Sequence, residues 1–441
     1  MNKAFYLETF GCQMNVVDSE QIVALLSGVG YTQVDSAEQA DLVLMNTCSV
    51  RDKAERKVYG HLGRFKPIKE RRPELIIGVG GCVAQQEGEK MLEKVAFLDL
   101  VFGTHNIHRL PELVQQVEQN RLRGCETDFQ DRETRLNLFP ERTAQESVTR
   151  FVTVMQGCDN FCSYCIVPHV RGREISRPSD EIITEVQGLV AQGAREITLL
   201  GQNVNSYNTK NDSDISFAQL LEQINGIKGL QRLRFATSHP KDLNEELIEC
   251  FGSLDKLCKH IHLPFQSGSD RILKLMNRGY SAENYLGKVE QLKKVCPEIR
   301  LTTDIIVGFP GETEEDFQST LDLVERVGYA DAFTFLYSPR VETAAAKMLD
   351  NQSSFQKQQR FDRLLELQQQ NSATVWQADL GHVLSVLVEG VSRHANGQLF
   401  GRTTWNRVVN FSGSTELIGQ VVQVKISEVL RNAHLGELVE L

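Results

Sequence analysis

The chain has 441 residues, and at roughly 150 residues per domain this length predicts about three domains rather than a single core. Hydrophobic residues make up 41% of it and charged residues 24%, which excludes a wholly disordered protein. Acidic side chains outnumber basic ones by 58 to 48, so the net charge of -10 excludes a uniformly basic nucleic-acid-binding protein, although not a local basic patch.

Neither a signal peptide nor a membrane span is predicted. The first eight residues lack the apolar stretch of a signal peptide, and no segment approaches about 18 uninterrupted apolar residues. We therefore expect a cytoplasmic protein. Its ten cysteines are too few for a disulfide scaffold, and in a reducing compartment clustered cysteines are better explained as metal ligands or catalytic thiols.

The first 118 residues alternate strand-like and helix-like segments. The predicted strands are 3–9, 41–46 and 75–80, and the predicted helices are 19–27, 51–65 and 111–118. This alternation predicts a parallel sheet with helices on both faces. Residues 119–147 are polar and lack apolar periodicity, so we expect a linker there.

A second α/β series runs from 148 to 376. Its strand-like segments are VTRFVTVMQ, REITLLG, RLRFATS, HIHLPF, LTTDIIVG and DAFTFLY, and helical patterns such as 179–192, 244–253 and 314–327 separate most of them. Six such units predict a partial TIM-like (β/α)6 barrel, whose chemistry belongs at the C-terminal ends of the strands. A glutamine-rich helix over 355–376 leads out of it.

Residues 377–441 change to an apolar period of two. The segments HVLSVLVEGV, QLFGRTT, RVVNFSG and QVVQVKISEVL are short and have glycine or asparagine between them. They predict a small all-β barrel in the size range of OB-like nucleic-acid modules. The fold class is therefore α/β, with a parallel-sheet domain, a partial barrel and a small all-β barrel in that order.

Three cysteines stand at C-x3-C-x2-C directly after the first predicted strand of the partial barrel. They are Cys158, Cys162 and Cys165, and this position places them at the catalytic mouth. Three thiolates can hold three corners of a [4Fe–4S] cluster and leave the fourth iron open for a substrate. The alternative is a zinc site with His169 as a fourth ligand, although zinc sites usually use paired C-x2-C units.

Three further cysteines occupy equivalent places in the N-terminal domain. Cys12, Cys48 and Cys82 each follow a predicted strand, and the C-terminal ends of parallel strands meet at one edge of a sheet. We therefore expect a second three-cysteine cluster site. The alternative, a cysteine that packs as a small apolar side chain, is our interpretation of the remaining four, which are Cys125, Cys250, Cys258 and Cys296.

The cysteine triplet ahead of a six-unit barrel resembles the radical S-adenosylmethionine (SAM) enzymes. The resemblance implies that the open iron chelates SAM, whose reductive cleavage gives a 5′-deoxyadenosyl radical. Two three-cysteine sites followed by a small β-barrel resemble, over nearly the whole chain, the methylthiotransferase family. Its members combine an auxiliary-cluster domain, a radical SAM domain and a TRAM domain, which would be 1–118, 148–376 and 377–441 here.

The family reaction inserts sulfur into an unactivated C–H bond and methylates it. The resemblance implies two [4Fe–4S] clusters, one SAM as methyl donor, another SAM as radical source, and sulfur from the auxiliary cluster. Segments 9–20, 157–178 and 399–411 resemble the branch that acts on isopentenylated adenosine-37 of bacterial tRNA. The run Gln13-Met14-Asn15 differs from the sequence found at this place in the branches that modify a ribosomal protein or threonylcarbamoyl-adenosine. One residue departs from the matching branch: His169 stands where that branch more often has tyrosine.

Residues that follow the barrel strands correspond to those with which relatives contact SAM. The resemblance implies such contacts for Gln202, Asn203, Ser238, Gln266, Ser267 and Gly308. Glycines and polar residues at strand ends also serve ordinary turns, which is the alternative for each.

Positive charge is concentrated in a few segments. Residues 51–72 carry nine basic and three acidic side chains, an excess that indicates either an RNA surface or an ordinary solvated helix face. Arginines after the triplet and in the C-terminal barrel suggest further phosphate contacts. The predicted RNA-binding residues are Arg51, Lys53, Arg56, Lys57, Arg171, Arg173, Arg402 and Arg407.

The resemblance also implies partners. The first is tRNA, which would be modified at adenosine 37 of the anticodon loop. The others are an electron donor such as flavodoxin or ferredoxin, and proteins that supply sulfur or assemble iron–sulfur clusters. We expect a monomer with no membrane association. Two alternatives remain open: the same chemistry on another tRNA adenosine or on a ribosomal protein, and a non-catalytic RNA-binding protein stabilised by zinc at the cysteine triplet.

Overall fold

The computed structural model describes residues 3–49, 52–131, 147–209, 214–392 and 397–439, and only the backbone of 52–56. Contacts divide the chain into two units. The first consists of Met1–Gln145, Met155–Asp159 and Cys165–Arg177, and the second of Glu146–Val154, Asn160–Tyr164 and Pro178–Leu441. None of the helices in these described ranges is long and apolar enough to cross a membrane.

The first unit is built on a six-stranded parallel sheet. Its strands are β1 (Lys3–Thr9), β2 (Tyr31–Gln33), β3 (Leu42–Thr47), β4 (Ile76–Gly81), β5 (Leu100–Phe102) and β6 (Gly124–Glu126). They lie in the order β2-β1-β3-β4-β5-β6, and every neighbouring pair is parallel. The central strands β3 and β4 are buried at every residue, which explains their continuous rather than alternating apolar pattern.

Helices lie on both faces of this sheet. They are α1 (Gln13–Gly28), α2 (Asp52–Arg71), α3 (Cys82–Glu87), α4 (Glu89–Lys94) and α5 (Leu110–Asn120). Alternate residues of β3 enter two different apolar clusters: Val43 and Met45 pack in one, and Leu42 and Leu44 in the other. Because successive side chains of a strand point to opposite faces, the sheet has a core on each side, as predicted.

The structure differs from the sequence prediction at several places in this unit. Helix α1 begins at Gln13 rather than at residue 19, and α2 continues to Arg71 through Pro67. The expected linker contains β6, which pairs with β5. A strand of three residues is too short to show an alternation of apolar and polar residues. The strand β6 is therefore formed by its pairing in the sheet and has no recognisable sequence pattern. Residues 132–146 of the expected linker lie outside the described residues.

Two short strands and one helix complete the first unit. Strands β8 (Met155–Gln156) and β9 (Ile175–Ser176) form an antiparallel pair. Helix α6 (Val167–Arg171) lies between them in the chain. The segment from β8 to α6 therefore contains the cysteine triplet.

The second unit contains the six predicted parallel strands. They are β7 (Thr149–Thr153), β10 (Glu196–Leu200), β11 (Arg232–Ala236), β12 (His260–His262), β13 (Arg300–Val307) and β14 (Asp331–Leu336). They form two sheets, β11-β10-β7 and β12-β13-β14, joined by a parallel bridge between Leu233 and Leu257. The helices are α7 (Ser179–Ala191), α8 (Phe217–Asn225), α9 (Glu245–Ser253), α10 (Asp270–Leu275), α11 (Ala282–Val295), α12 (Glu314–Val327) and α13 (Ser354–Gln377).

The C-terminal strands close into a barrel in the order β15-β16-β17-β19-β18. They are β15 (Val383–Val391), β16 (Gln398–Arg402), β17 (Val408–Ser412), β18 (Val421–Val429) and β19 (His434–Leu438). The first, second, third and fourth strands match the predicted segments, whereas β19 was not predicted. It pairs with both β17 and β18 and closes the barrel around an apolar core that includes Phe411.

The closed barrel is fixed at the N-terminal ends of the parallel strands. Arg232, the first residue of β11, donates to the carbonyl oxygens of Arg402 and Ser385. Arg234, two residues further along β11, donates to the carbonyl oxygen of Thr403 at 2.7 Å. The all-β barrel therefore lies at the end of the second unit opposite the C-terminal strand ends.

Candidate active site

The structure brings the three N-terminal cysteines to one edge of the first unit's sheet. Cys12 is the N-cap of α1 after β1, Cys48 directly follows β3, and Cys82 is the first residue of α3 after β4. Because β3 lies between β1 and β4, the three thiols follow three neighbouring strands. None of the chain's ten cysteines, all of which are described, forms a disulfide.

The backbone beside these cysteines requires glycine. Gly11 has a φ of +124°, and a Cβ added there would lie 2.3 Å from the Cβ of Cys48. Gly81 has a φ of +92°, and its Cβ would lie 2.4 Å from the carbonyl oxygen of Thr47. Both positions combine a left-handed conformation with close approach, so a side chain at either would push the cysteine loops apart.

The pKa values of these thiols depend on one another and on the positive charge of Arg171. A hydrogen bond with Cys48 lowers the pKa of Cys12 to about 6, and the charge of Arg171 acts in the same direction against the effect of burial. Burial raises the pKa of Cys82, although Arg171 opposes this. Because the thiolate is the form that binds iron, the site favours a ligand-ready Cys12 at neutral pH.

The donor set at this edge suits an iron–sulfur cluster. Within the described ranges, no three His, Cys, Asp or Glu side chains already stand close enough to hold a single metal ion. A [4Fe–4S] cluster makes a different demand, because each cysteine binds a different iron. Three thiols at neighbouring strand ends, on loops that glycines allow to approach closely, fit such a group.

The cysteine triplet lies between β8 and α6. In the first unit, the N–H of Cys158 donates to the carbonyl oxygen of Gly172 at 3.2 Å. Gly157 has a φ of +81°, and a Cβ there would lie 2.1 Å from the carbonyl oxygen of Arg173. These contacts hold the start of the triplet against the segment that leads into β9.

The second cysteine of the triplet, Cys162, belongs to the second unit. The guanidinium of the buried Arg278 donates to its Sγ at 3.4 Å and to the carbonyl oxygen of Pro264 at 2.7 Å. Asn277, with a φ of +58°, donates to the carbonyl oxygen of Phe161 at 3.0 Å. Arg278 was not among the predicted site residues, because it follows an ordinary helix and its contact with Cys162 arises only from folding.

Buried polar atoms without partners lie at the C-terminal strand ends of the second unit. Among the described residues, Asn203 Oδ1 after β10, Ser238 Oγ after β11 and Gln266 Oε1 after β12 have no hydrogen-bond partner. All three residues are buried. Since buried polar atoms are nearly always hydrogen-bonded, these three fit a polar ligand such as the amino, carboxylate and hydroxyl groups of SAM.

His239 adds a donor to this group of atoms. Its Nδ1 accepts the backbone N–H of Lys241 at 3.1 Å, and burial together with the charges of Arg278, Lys241 and Lys288 lowers its pKa. The ring is therefore neutral and its Nε2 carries the proton, which has no partner among the described residues. His239 was not among the predicted site residues.

The other predicted SAM residues have different surroundings. Gln202 is half-buried after β10. Ser267 is buried and accepts the N–H of Ser269 at 3.3 Å. The N–H of Gly308 donates at 2.8 Å to Glu312, whose pKa burial raises to about 7. Ser267 and Gly308 thus have partners within the chain and shape the loops that surround the orphaned atoms.

Two of the predicted RNA-binding arginines are buried, which corrects that prediction. Arg171 is 3% exposed and pairs with Asp18, and Arg407 is 5% exposed and donates to the carbonyl oxygen of Arg431 at 3.0 Å. A phosphate cannot reach either guanidinium without displacing these partners. The sequence could not show this, because burial depends on segments far away in the chain.

The remaining predicted RNA-binding residues fall into three groups. Lys57 and Arg173 are exposed, and Arg173 pairs with Asp159 at 2.7 Å. Arg402 is half-buried and pairs with Glu389 at 2.6 Å. Arg51 and the side chains of Lys53 and Arg56 lie outside the described residues.

Family models match three stretches of the chain. Residues 4–103 match the model described as uncharacterized protein family UPF0004, 152–324 the radical SAM superfamily, and 377–439 the TRAM domain. The first match covers β1 to β5 and the three N-terminal cysteines, the second covers the triplet and most of the second unit's parallel strands, and the third covers the closed barrel.

Solved structures support the fold. A radical S-adenosylmethionine methyltransferase, TsrM, from Kitasatospora setae aligns with a TM-score of 0.58 at 16% identity, over 78% of this chain and 77% of that one. The cobalamin-dependent S-adenosylmethionine radical enzyme OxsB aligns with a TM-score of 0.51 at 13% identity, over 78% of this chain and 54% of that one. At these identities the likeness concerns the fold alone.

Curated relatives match the chain from end to end. A tRNA-2-methylthio-N(6)-dimethylallyladenosine synthase from Syntrophotalea carbinolica is 62% identical over 99% of this chain and 100% of its own length. One from Geobacter sulfurreducens is 59% identical over 99% of this chain and 98% of its own length. The resemblance inferred from the cysteine spacing is confirmed, and the chain belongs to the tRNA-2-methylthio-N(6)-dimethylallyladenosine synthase family of radical SAM methylthiotransferases.

Proposed function

We propose that this protein converts N6-(dimethylallyl)adenosine at position 37 of tRNA to 2-methylthio-N6-(dimethylallyl)adenosine. The observation that carries the proposal is the presence, in one chain, of two three-cysteine sites, each at C-terminal strand ends. Relatives above half identity over nearly the whole chain bear the name of this activity. SAM and [4Fe–4S] clusters are the cofactors of this family.

Each site has its own task in this proposal. Cys158, Cys162 and Cys165 hold the cluster that binds and reductively cleaves SAM. The three N-terminal cysteines hold the auxiliary cluster, which supplies the sulfur. When bound, the clusters and SAM provide the electron, the radical, the sulfur and the methyl group. The chain's own atoms orient SAM, and the orphaned acceptors of Asn203 and Gln266 suit its ammonium and hydroxyl groups.

The tRNA contacts belong to exposed parts of the chain. The target base must leave any stack before its C2 edge can reach a buried site, which suits a nucleotide of the anticodon loop. Among the predicted RNA-binding residues whose side chains the structure describes, three have a solvent-accessible guanidinium or ammonium group: Lys57, Arg173 and Arg402. The TRAM match at the C-terminus supports an RNA substrate.

The proposal also includes the protein's partners, its location and its domain boundaries. An electron donor such as flavodoxin or ferredoxin reduces the radical cluster, and sulfur-supplying or cluster-assembly proteins restore the auxiliary one. The protein acts as a cytoplasmic monomer. Its domains are the auxiliary-cluster domain 1–118, the linker 119–147, the radical SAM domain 148–376 and the TRAM domain 377–441.

Nucleoside analysis of tRNA from a strain that lacks this protein tests the function. We expect 2-methylthio-N6-(dimethylallyl)adenosine to disappear and its precursor without the methylthio group to accumulate. A plasmid-borne copy should restore the product. Unchanged product in the deletion strain would contradict the tRNA assignment, and purified protein with stoichiometric zinc instead of about eight iron per chain would contradict the cluster assignment.

A further inference from the structure

Arg171 is the last residue of α6, and its guanidinium is among the most deeply buried cations in the described part of the chain. It is 3% exposed, and its two Nη atoms lie 2.5 and 3.3 Å from the carboxylate oxygens of Asp18. Asp18 lies on α1, the helix that begins directly after Cys12. The ion pair therefore joins the helix that starts at an N-terminal cysteine to the helix that follows Cys165.

The guanidinium also faces the N-terminal thiols. Its positive charge acts to lower the pKa of both Cys82 and Cys12. On Cys82 the charges of Arg171 and Asp18 act in opposite directions. The guanidinium of Arg171 therefore pairs with a carboxylate, while its charge acts on two proposed ligands of the auxiliary cluster and the preceding residue, Val170, packs against one of them, Cys82.

The backbone of α6 is held in place. The hydroxyl of Thr104 donates to the carbonyl oxygen of Val170 at 2.6 Å. His105 Nε2 donates to the carbonyl oxygen of Arg171 at 3.0 Å, while its Nδ1 accepts the N–H of Gln130. Val170 also packs against Cys82 in an apolar cluster. The position of the guanidinium is thus set by backbone contacts as well as by Asp18.

A fixed charge at this place has a predictable effect on a redox centre. A cluster with three thiolate ligands becomes more negative when it accepts an electron, and a buried cation beside it stabilises that reduced state. Hydrogen bonds to the ligand sulfurs and local charge are known determinants of cluster potential. The charge of Asp18 has the opposite sign and therefore the opposite effect.

We propose that Arg171, held by Asp18, is a positioning residue of the auxiliary cluster that sets its reduction potential. Arg171 raises the potential and Asp18 moderates this effect. The inference rests on the proposed auxiliary cluster, and it replaces the phosphate contact predicted for Arg171 from the sequence.

The test uses the full-length protein with all three cysteines of the triplet replaced by alanine, so that only the auxiliary cluster is present. In this parent protein, Arg171→Gln, Arg171→Lys and Asp18→Asn are compared by redox titration monitored by electron paramagnetic resonance. We expect R171Q to shift the midpoint potential to more negative values and D18N to shift it to more positive values. R171K, which keeps the charge, should shift it less than R171Q.

The control is Arg109→Gln, which breaks the 2.6 Å ion pair of Arg109 with Glu126 in the same unit. It should leave the potential unchanged. If R171Q does not fold, the double variant D18N/R171Q takes its place, because it removes both charges at similar side-chain volume. The midpoint potential of the double variant should be more negative than that of D18N. Shifts of the same sign for R171Q and D18N, or none, would overturn the inference. A parent protein without iron would instead contradict the proposed auxiliary cluster itself.

Discussion

The cysteines of the two proposed sites differ in the side chains that contact them. Cys12 has a hydrogen bond with a second proposed ligand, Cys48, which lowers its pKa to about 6. Cys162 instead accepts a hydrogen bond from the buried Arg278 at 3.4 Å. By contrast, burial raises the pKa of Cys250 to about 11, as expected for a thiol that only packs. Burial also raises the pKa of the proposed ligand Cys82, so its position after β4, rather than its pKa, distinguishes it from Cys250.

At this scale the first prediction concerns the division of labour between the sites. Cys162→Ala should abolish reductive cleavage of SAM, because its cluster delivers the electron. Cys48→Ala should retain cleavage of SAM to 5′-deoxyadenosine and lose sulfur insertion. Both products can be measured by chromatography and mass spectrometry after anaerobic turnover with tRNA.

Cys250→Ala is the matched control and should leave both reactions intact, because this cysteine lies within α9 and is not a proposed ligand. If C162A and C48A lose the same reactions, the proposed division of labour is wrong.

The elements that carry the cysteines are short, and glycines determine their geometry. Gly157 precedes the triplet with a left-handed backbone, and the carbonyl oxygen of Arg173 occupies the space that a Cβ would need. The β8–β9 pair and the triplet loop are therefore mutually dependent. The same argument applies to Gly81 before Cys82.

Gly157→Ala should therefore impair cluster binding without a general loss of fold. We expect at least half of the iron of the radical site to be lost, because the added Cβ forces the loop away from Arg173. Iron and sulfide analysis of the reconstituted protein, with circular dichroism, measures this.

Gly188→Ala provides the control within α7. A Cβ there meets no atom within 4 Å, and alanine in a helix is more stable than glycine by up to about 1 kcal/mol. Its iron content should equal that of the unsubstituted protein. Full iron occupancy in G157A would refute the role of this glycine.

On the scale of the second unit, buried arginines of the parallel strands join these strands to the all-β barrel. Arg234 pairs with Glu196 at 2.8 Å and donates to carbonyl oxygens of Thr403 and Thr404. Arg300 pairs with Asp379 and lies over the rings of Trp376 and Trp405. The closed barrel is therefore fixed to the N-terminal strand ends by arginines that belong to the parallel strands.

Arg234→Ala should destabilise the protein strongly. It leaves the buried carboxylate of Glu196 without its partner, which costs about 3–5 kcal/mol for a pair of this kind. The midpoint of urea unfolding, followed by fluorescence, measures the loss.

The control is Arg326→Ala, which removes an exposed pair with Glu290 at 2.7 Å and should cost less than about 1 kcal/mol. Equal effects of R234A and R326A would show that the attachment does not depend on the buried pair.

The sequence by itself determined the fold class, the cofactor chemistry and the family. Strand and helix periods are local properties, and three cysteines at fixed spacing after a strand already specify thiolate chemistry at a C-terminal strand end. It missed the short strands β2, β5, β6 and β19, because a few residues carry no periodic signal and pairing alone creates them.

The tertiary structure alone decided what the charged and polar side chains do. Arg171 and Arg407 have the sequence pattern of surface arginines, yet distant segments bury them against Asp18 and against carbonyl oxygens. Arg278 and His239 gained their neighbours in the same way. The physical reason is that periodicity and ligand spacing are properties of neighbouring residues, whereas burial and electrostatic partners depend on which remote segments meet.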